Sequence, residues 1–139
     1  MTKKLAPAKE WYNRSVDKWN TLSFTEYLKD KHEEMYGVPY VAFGGWQAEQ
    51  RIIGDIIGTQ SKTNPKPRKY DNGVLKEFID VTFENYRPTK EYPGTSLGFQ
   101  WKYRQVEWQR ILANQNETVR ENKIKDEWES IADDIDNYL

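Results

Sequence analysis

The chain has one histidine, His32, followed directly by Glu33 and Glu34. A metalloprotease helix needs a second histidine one turn on, so that both rings reach one metal. That second ring is missing, and with no cysteine in the chain no thiolate can replace it. A Ser–His–Asp relay would need His32 to face a nucleophile, and no nucleophile motif is present. His32 therefore reads as a solvated or half-buried helix histidine. The stretch Gly54–Thr63 has the look of a phosphate loop but departs from it twice. Lys62 follows Ser61 rather than a glycine, and the stretch follows a helical pattern rather than a strand. Asp133, Asp134 and Asp136 lack the turn glycine and distal bidentate glutamate of a calcium loop, and read as a solvated helix face. The expectation is a non-enzyme with no catalytic residues, no metal and no cofactor.

Two features remain. The first is basic: Lys62, Lys66, Arg68 and Lys69 lie on one loop, and Arg87, Lys90, Lys102, Arg104 and Arg110 follow later. Interleaved with Tyr70, Tyr92 and Tyr103, such side chains suit phosphates and stacked bases. Lys62, Lys66, Arg68, Lys69, Lys102, Arg104 and Arg110 are the candidate nucleic-acid contacts, with Gln100, Gln105 or Arg104 as base readers. The plain alternative is a Lys- and Pro-rich linker. The helices expected at 46–57 and 73–86 stand too far apart for a helix-turn-helix, so a helix at 96–115 would have to enter any groove of DNA.

The second feature is the end of the chain. Ile124, Trp128, Ile131, Ile135 and Tyr138 repeat at spacings of four and three, with acids between them. Such a seam can dock on the body, pair with a copy of itself, or lie in a partner's groove whose basic rim meets the acids. Trp128, Ile131, Ile135, Tyr138 and Leu139 are the candidate partner anchors.

Residues Ile131–Leu139 resemble the acidic, hydrophobic-ended tails by which some phage replication and late-transcription proteins bind the sliding clamp. The absence of cysteine, the many Trp and Tyr and the Lys-rich loops are similar to small bacteriophage accessory proteins. The resemblance implies a phage accessory factor of replication or transcription, partnered by a sliding clamp, polymerase or helicase. It assigns no site residue in 1–125.

The charge is unevenly spread. Residues 1–125 hold all 21 basic residues and 16 of the 22 acids, a net of +5; residues 126–139 hold the other six acids and no base. This split suits a nucleic-acid surface, an acidic docking tail, or a tail that folds back on the body until a partner lifts it. A solvated helix end explains it equally well. The expected function is therefore a nucleic-acid-binding accessory protein with a partner-binding tail. The alternatives are a pure protein-interaction factor that binds no nucleic acid, and a self-associating structural part.

The 139 residues fit one domain. Only 37% are hydrophobic, but 14% are aromatic, so a small core built from rings is expected. The absence of cysteine fits a reducing compartment. Met1–Pro7 has no apolar run behind its lysines, and no stretch approaches a membrane span. The expectation is a cytoplasmic protein, in the host cell if of phage origin. The matches to the glycosylation sequon at Asn13 and Asn116 then read as chance.

These features need elements to hold them. The pattern predicts an all-α, compact bundle of five to six short helices with an acidic amphipathic C-terminal helix. A short helix is expected within 8–19. A second, 24–36, is capped by a Ser23–Glu26 box with a Leu22–Tyr27 staple and stopped by Gly37. Val38–Phe43 is extended or irregular. Helices follow at 46–57, at 73–86 behind Asp71, at 96–115 behind Thr95 or Ser96, and from 117 onward. The organisation expected is a body, 1–115, with a basic loop at 58–72 that has room for a short hairpin, and a C-terminal helix or tail, 116–139.

Overall fold

The computed structural model describes the backbone of residues 5–138 and the side chains of 5–133. The protein is all-α. Five helices follow two 3-10 turns at Trp11–Asn13 and Val16–Lys18: α1 (Thr21–Tyr36), α2 (Trp46–Ile57), α3 (Asn72–Asn85), α4 (Leu97–Tyr103) and α5 (Gln105–Tyr138). Among the described residues the only β pairing is an isolated bridge, Thr59 to Lys66, closed by two backbone hydrogen bonds of 3.0 and 3.2 Å.

The helix expected in 8–19 is replaced by the two 3-10 turns because side chains take its carbonyls. The Trp19 indole donates to the carbonyls of Trp11 (3.0 Å) and Arg14 (3.2 Å), and Arg14 reaches the carbonyls of Ala6 and Lys18. The following cap lies one turn earlier than Ser23–Glu26 predicts. Asn20 accepts from the Ser23 amide at 3.1 Å while the Ser23 hydroxyl accepts from the Asn20 amide at 3.2 Å. That is a reciprocal capping box. Its staple is Trp19 against Phe24, ring centroids 5.1 Å apart, rather than Leu22 against Tyr27. Gly37 ends α1 as expected, at φ +69°.

Asp71 occupies the N-cap position of α3 but makes no side-chain cap bond. The neighbouring Asn72 is buried, and its Nδ2 donates at 2.7 Å to the carbonyls of both Val16 and Trp19. One amide thus ties the N-terminal turns to α3.

The largest departure is in the last third of the chain. The predicted 96–115 helix breaks at Arg104, and its remainder runs without interruption into the predicted C-terminal helix. Arg104 sits at φ −123°, ψ 36° and donates its amide to Gln100 at 2.7 Å. The Gln105 side chain then caps the freed Trp101 carbonyl at 2.7 Å. Trp101 and Trp108, on either side of the break, meet each other edge-on at 5.0 Å and both meet Phe78. Residues 113–118 contain no glycine or proline, so nothing stops α5 where a boundary was expected.

The core mixes rings with branched aliphatics. Phe24, Leu28, Ile53, Phe78, Ile79 and Phe83 are fully enclosed, with Leu75 and Leu97 beside them. α5 contributes Trp108 and Ile111 to it, with Leu112 half-buried. From 113 to 133 every residue of α5 is exposed. At 1.5 Å per residue, that stretch carries the helix roughly 30 Å past the core.

Candidate functional site

The seven basic residues expected to contact nucleic acid do not form one face. Lys66 is bound to Asp55 at 2.6 Å, and Arg110 to Glu107 at 2.9 Å. Lys62 lies exposed on the loop, and Arg104 lies exposed at the α4–α5 break. Arg68 and Lys69 come to α5 through the end of the loop, where the amides of Lys69 and Tyr70 both donate to the Ile56 carbonyl at 3.0 Å. Together with Tyr70, Leu112, Gln115 and Asn116 they line a cavity of about 510 Å³. The Tyr70 ring, 37% exposed, packs edge-on to Trp108 at 5.1 Å. Gln100 is buried and donates to the Thr95 hydroxyl at 2.8 Å, and Gln105 is spent on the Trp101 carbonyl, so neither is placed to read a base edge.

Lys102 belongs to a different neighbourhood. Its ammonium lies 5.8 Å from the Phe43 ring centroid and 5.4 Å from that of Tyr103. Phe99 joins these rings, edge-on to Phe43 at 6.1 Å and tilted on Tyr103 at 4.8 Å. All three rings are substantially exposed: Phe43 43%, Phe99 37% and Tyr103 58%. An ammonium over the faces of exposed rings is favoured by their quadrupoles. Among the described residues Lys102 has no carboxylate partner.

Beside this cluster opens a groove of about 860 Å³, within the usual range for ligand sites. One wall is the segment from Val38 to Gly44 and the other the segment from Tyr86 to Ser96, with Phe99 between them. The first wall is held by Glu49, a fully buried carboxylate on α2. Its Oε2 accepts from the amides of Phe43 (2.7 Å) and Gly98 (3.2 Å), and its Oε1 from the Tyr40 hydroxyl. Tyr40 in turn accepts from the Leu97 amide at 2.8 Å. Burial pushes the Glu49 carboxyl above its ordinary value, against the pull of these donors, and pushes the Tyr40 hydroxyl well up. A methyl on Gly98 would crowd both Phe43 and Glu49, at 3.1 and 3.2 Å. The second wall is a turn in which the Thr89 amide donates to the Tyr92 carbonyl at 3.0 Å and the Tyr86 hydroxyl to the same oxygen at 2.8 Å.

His32 lies at the base of the groove and is only 2% exposed, where its sequence context suggests a solvated or half-buried ring. Its ring is gripped edge-on by Tyr36 and Tyr40, at 4.8 and 5.2 Å. Nδ1 lies 2.9 Å from the Val38 carbonyl and so carries the proton donated there. Nε2 has no hydrogen-bond partner among the described residues. It faces the Gly94 wall, where an added Cβ would stand 2.2 Å from it. No protein-family model, curated protein or solved structure matches the chain.

The tail anchors divide between described and undescribed residues. Ile124, Trp128 and Ile131 stand in solvent, Trp128 at 67% exposure, so over 113–133 the seam neither packs on the body nor folds back across it. Asp133 is exposed too. The side chains of Asp134, Ile135, Asp136 and Tyr138, and Leu139 as a whole, lie outside the described residues, as do Met1–Lys4 of the N-terminal reading. Among the described residues no group of three or more metal-ligating side chains gathers, and no helix is long and apolar enough to cross a membrane.

The groove-lining residues were missed because two separate loops supply them. The available signals were the apolar run Val38–Phe43, too hydrophobic for an ordinary connection, and Glu49, a carboxylate inside the apolar stripe of α2.

Proposed function

We propose that this protein is a non-catalytic accessory factor of phage type that holds nucleic acid on its body and a partner protein on the far half of α5. The observation that carries this reading is the exposed seam of Ile124, Trp128 and Ile131 on a helix that has left the core. Burying side chains of this size is worth about 1.5–3 kcal/mol each, and the protein alone leaves that stabilisation unclaimed. A partner with an apolar groove and a basic rim recovers it and meets the six acids of 126–139. The resemblance of Ile131–Leu139 to clamp-binding tails directs the search to a sliding clamp, a polymerase or a helicase.

The test is surface capture of a phage sliding clamp, polymerase and helicase by the full chain and by its W128A/I131A double variant. Capture by the wild type that the variant loses is the expected result; equal capture by both removes the arm as the docking element. A reading without nucleic acid, as a pure protein-interaction factor, draws on the ion pairs that already occupy Lys66 and Arg110. Strand affinity that hardly changes with ionic strength would favour it.

A further inference from the structure

We propose that the His32 groove seats an unstacked base of a single-stranded nucleic acid, with Phe43, Phe99 and Tyr103 as the stacking platform at its mouth and Lys102 as a phosphate contact. The proposal rests on the nucleic-acid half of the function above and moves its site from the basic loop to the groove.

Four observations converge on it. The groove has room for a nucleoside, at about 860 Å³. Phe43 and Phe99 line it and Tyr103, tilted on Phe99, continues them in solvent; aromatic faces that stack on any base are how single strands are held without sequence preference. Lys102 lies over two of those rings with no carboxylate partner among the described residues, which leaves a cation beside the stacking surface. Arg87 and Glu91 also line the groove and offset each other, so Lys102 sets the sign of the charge at its mouth. Finally, the His32 ring is only 2% exposed, and its Nε2 has no protein hydrogen-bond partner among the described residues. A base N–H that reaches Nε2 past Gly94, which carries no side chain, would supply that partner. A duplex cannot use such a site, because its bases are already stacked and paired.

The chain's single histidine makes the test clean, since a histidine-labelled sample gives one imidazole signal. The full-length protein is titrated with a short thymidine strand, an abasic strand of equal length, a duplex of equal length, and a peptide of residues 119–139. Imidazole shifts are followed by NMR and affinity by fluorescence anisotropy. The expected result is a His32 shift with the thymidine strand alone, and roughly tenfold tighter binding than to the abasic strand. F43A and Y103A, both at exposed rings, should each weaken thymidine binding roughly tenfold and leave abasic binding unchanged; K102A should weaken both strands. Equal binding of abasic and thymidine strands with an unmoved His32 signal overturns the groove assignment while nucleic-acid binding stands. A shift with the peptide alone also overturns it and gives the groove to the arm of a second copy. No binding of any strand at low salt overturns the nucleic-acid reading itself.

Discussion

Two carboxylates respond to pH with opposite signs. Asp80 is half-buried, which disfavours its charge. Lys76 at 2.7 Å, the Tyr27 hydroxyl and Lys31 at 2.9 Å outweigh that and hold its carboxyl below the ordinary value of 3.8. Its contribution is complete above that ordinary value and is lost as pH falls through the depressed folded value. D80N removes the charge from three donors and should cost about 1.5–3 kcal/mol at neutral pH, shrinking on acidification, as read by urea unfolding at pH 7 and pH 3. Glu49 runs the other way. Burial raises its carboxyl above 4.5, so the folded state holds the proton more tightly than the unfolded chain does. Its contribution is complete below the ordinary value and is lost as pH rises through the folded one. E49A leaves the amides of Phe43 and Gly98 without an acceptor and should cost about 3 kcal/mol by the same measurement. Because Glu49 anchors the Phe43 side of the groove, the same variant should broaden the His32 imidazole signal. An unchanged midpoint would mean that the wall is held by something other than this carboxylate.

At the scale of elements, α2 was legible to the residue, because the isoleucines of 46–57 keep strict helical spacing and Gly58 stops them. α3 and the end of α1 were legible for the same reasons. The start of α1 was not: Ser23, read as the cap of a box with Glu26, fills the third helical position opposite the true cap, Asn20. The break at Arg104 leaves no local mark, since tertiary packing of Trp101 and Trp108 around Phe78 selects it. The groove was illegible for a related reason: its walls come from segments about fifty residues apart, joined by Glu49 and Tyr40. The basic residues were found, but not the pairing of Lys66 and Arg110 with nearby acids. The long exposed run of α5 leads to a direct expectation. Ending the chain after Thr118 removes no buried side chain among the described residues, so the unfolding free energy should stay within about 0.5 kcal/mol. A larger loss would show that the distal helix braces the body.

For the whole molecule, the question is whether the acidic end stays away from the basic body. A compact chain of this length has a radius of gyration of roughly 14 Å. With α5 extended, small-angle scattering should give a clearly larger value, and truncation after Thr118 should bring it down to the compact range. A full-length value near 14 Å at low salt would instead favour the fold-back arrangement. The unaccompanied stretch of α5 also has a kinetic side. An isolated helix of about twenty residues is only marginally stable in water, so its amides should open with little of the free energy that protects α3. Arg120, Lys123 and Lys125 lie on that stretch, which makes it the natural first point of attack for trypsin. Digestion should release the acidic end early and leave a resistant body. A bound partner that occupies the seam would slow that first cut without changing the later ones, so the lifetime of the arm under protease reports its occupancy even where the partner is unknown.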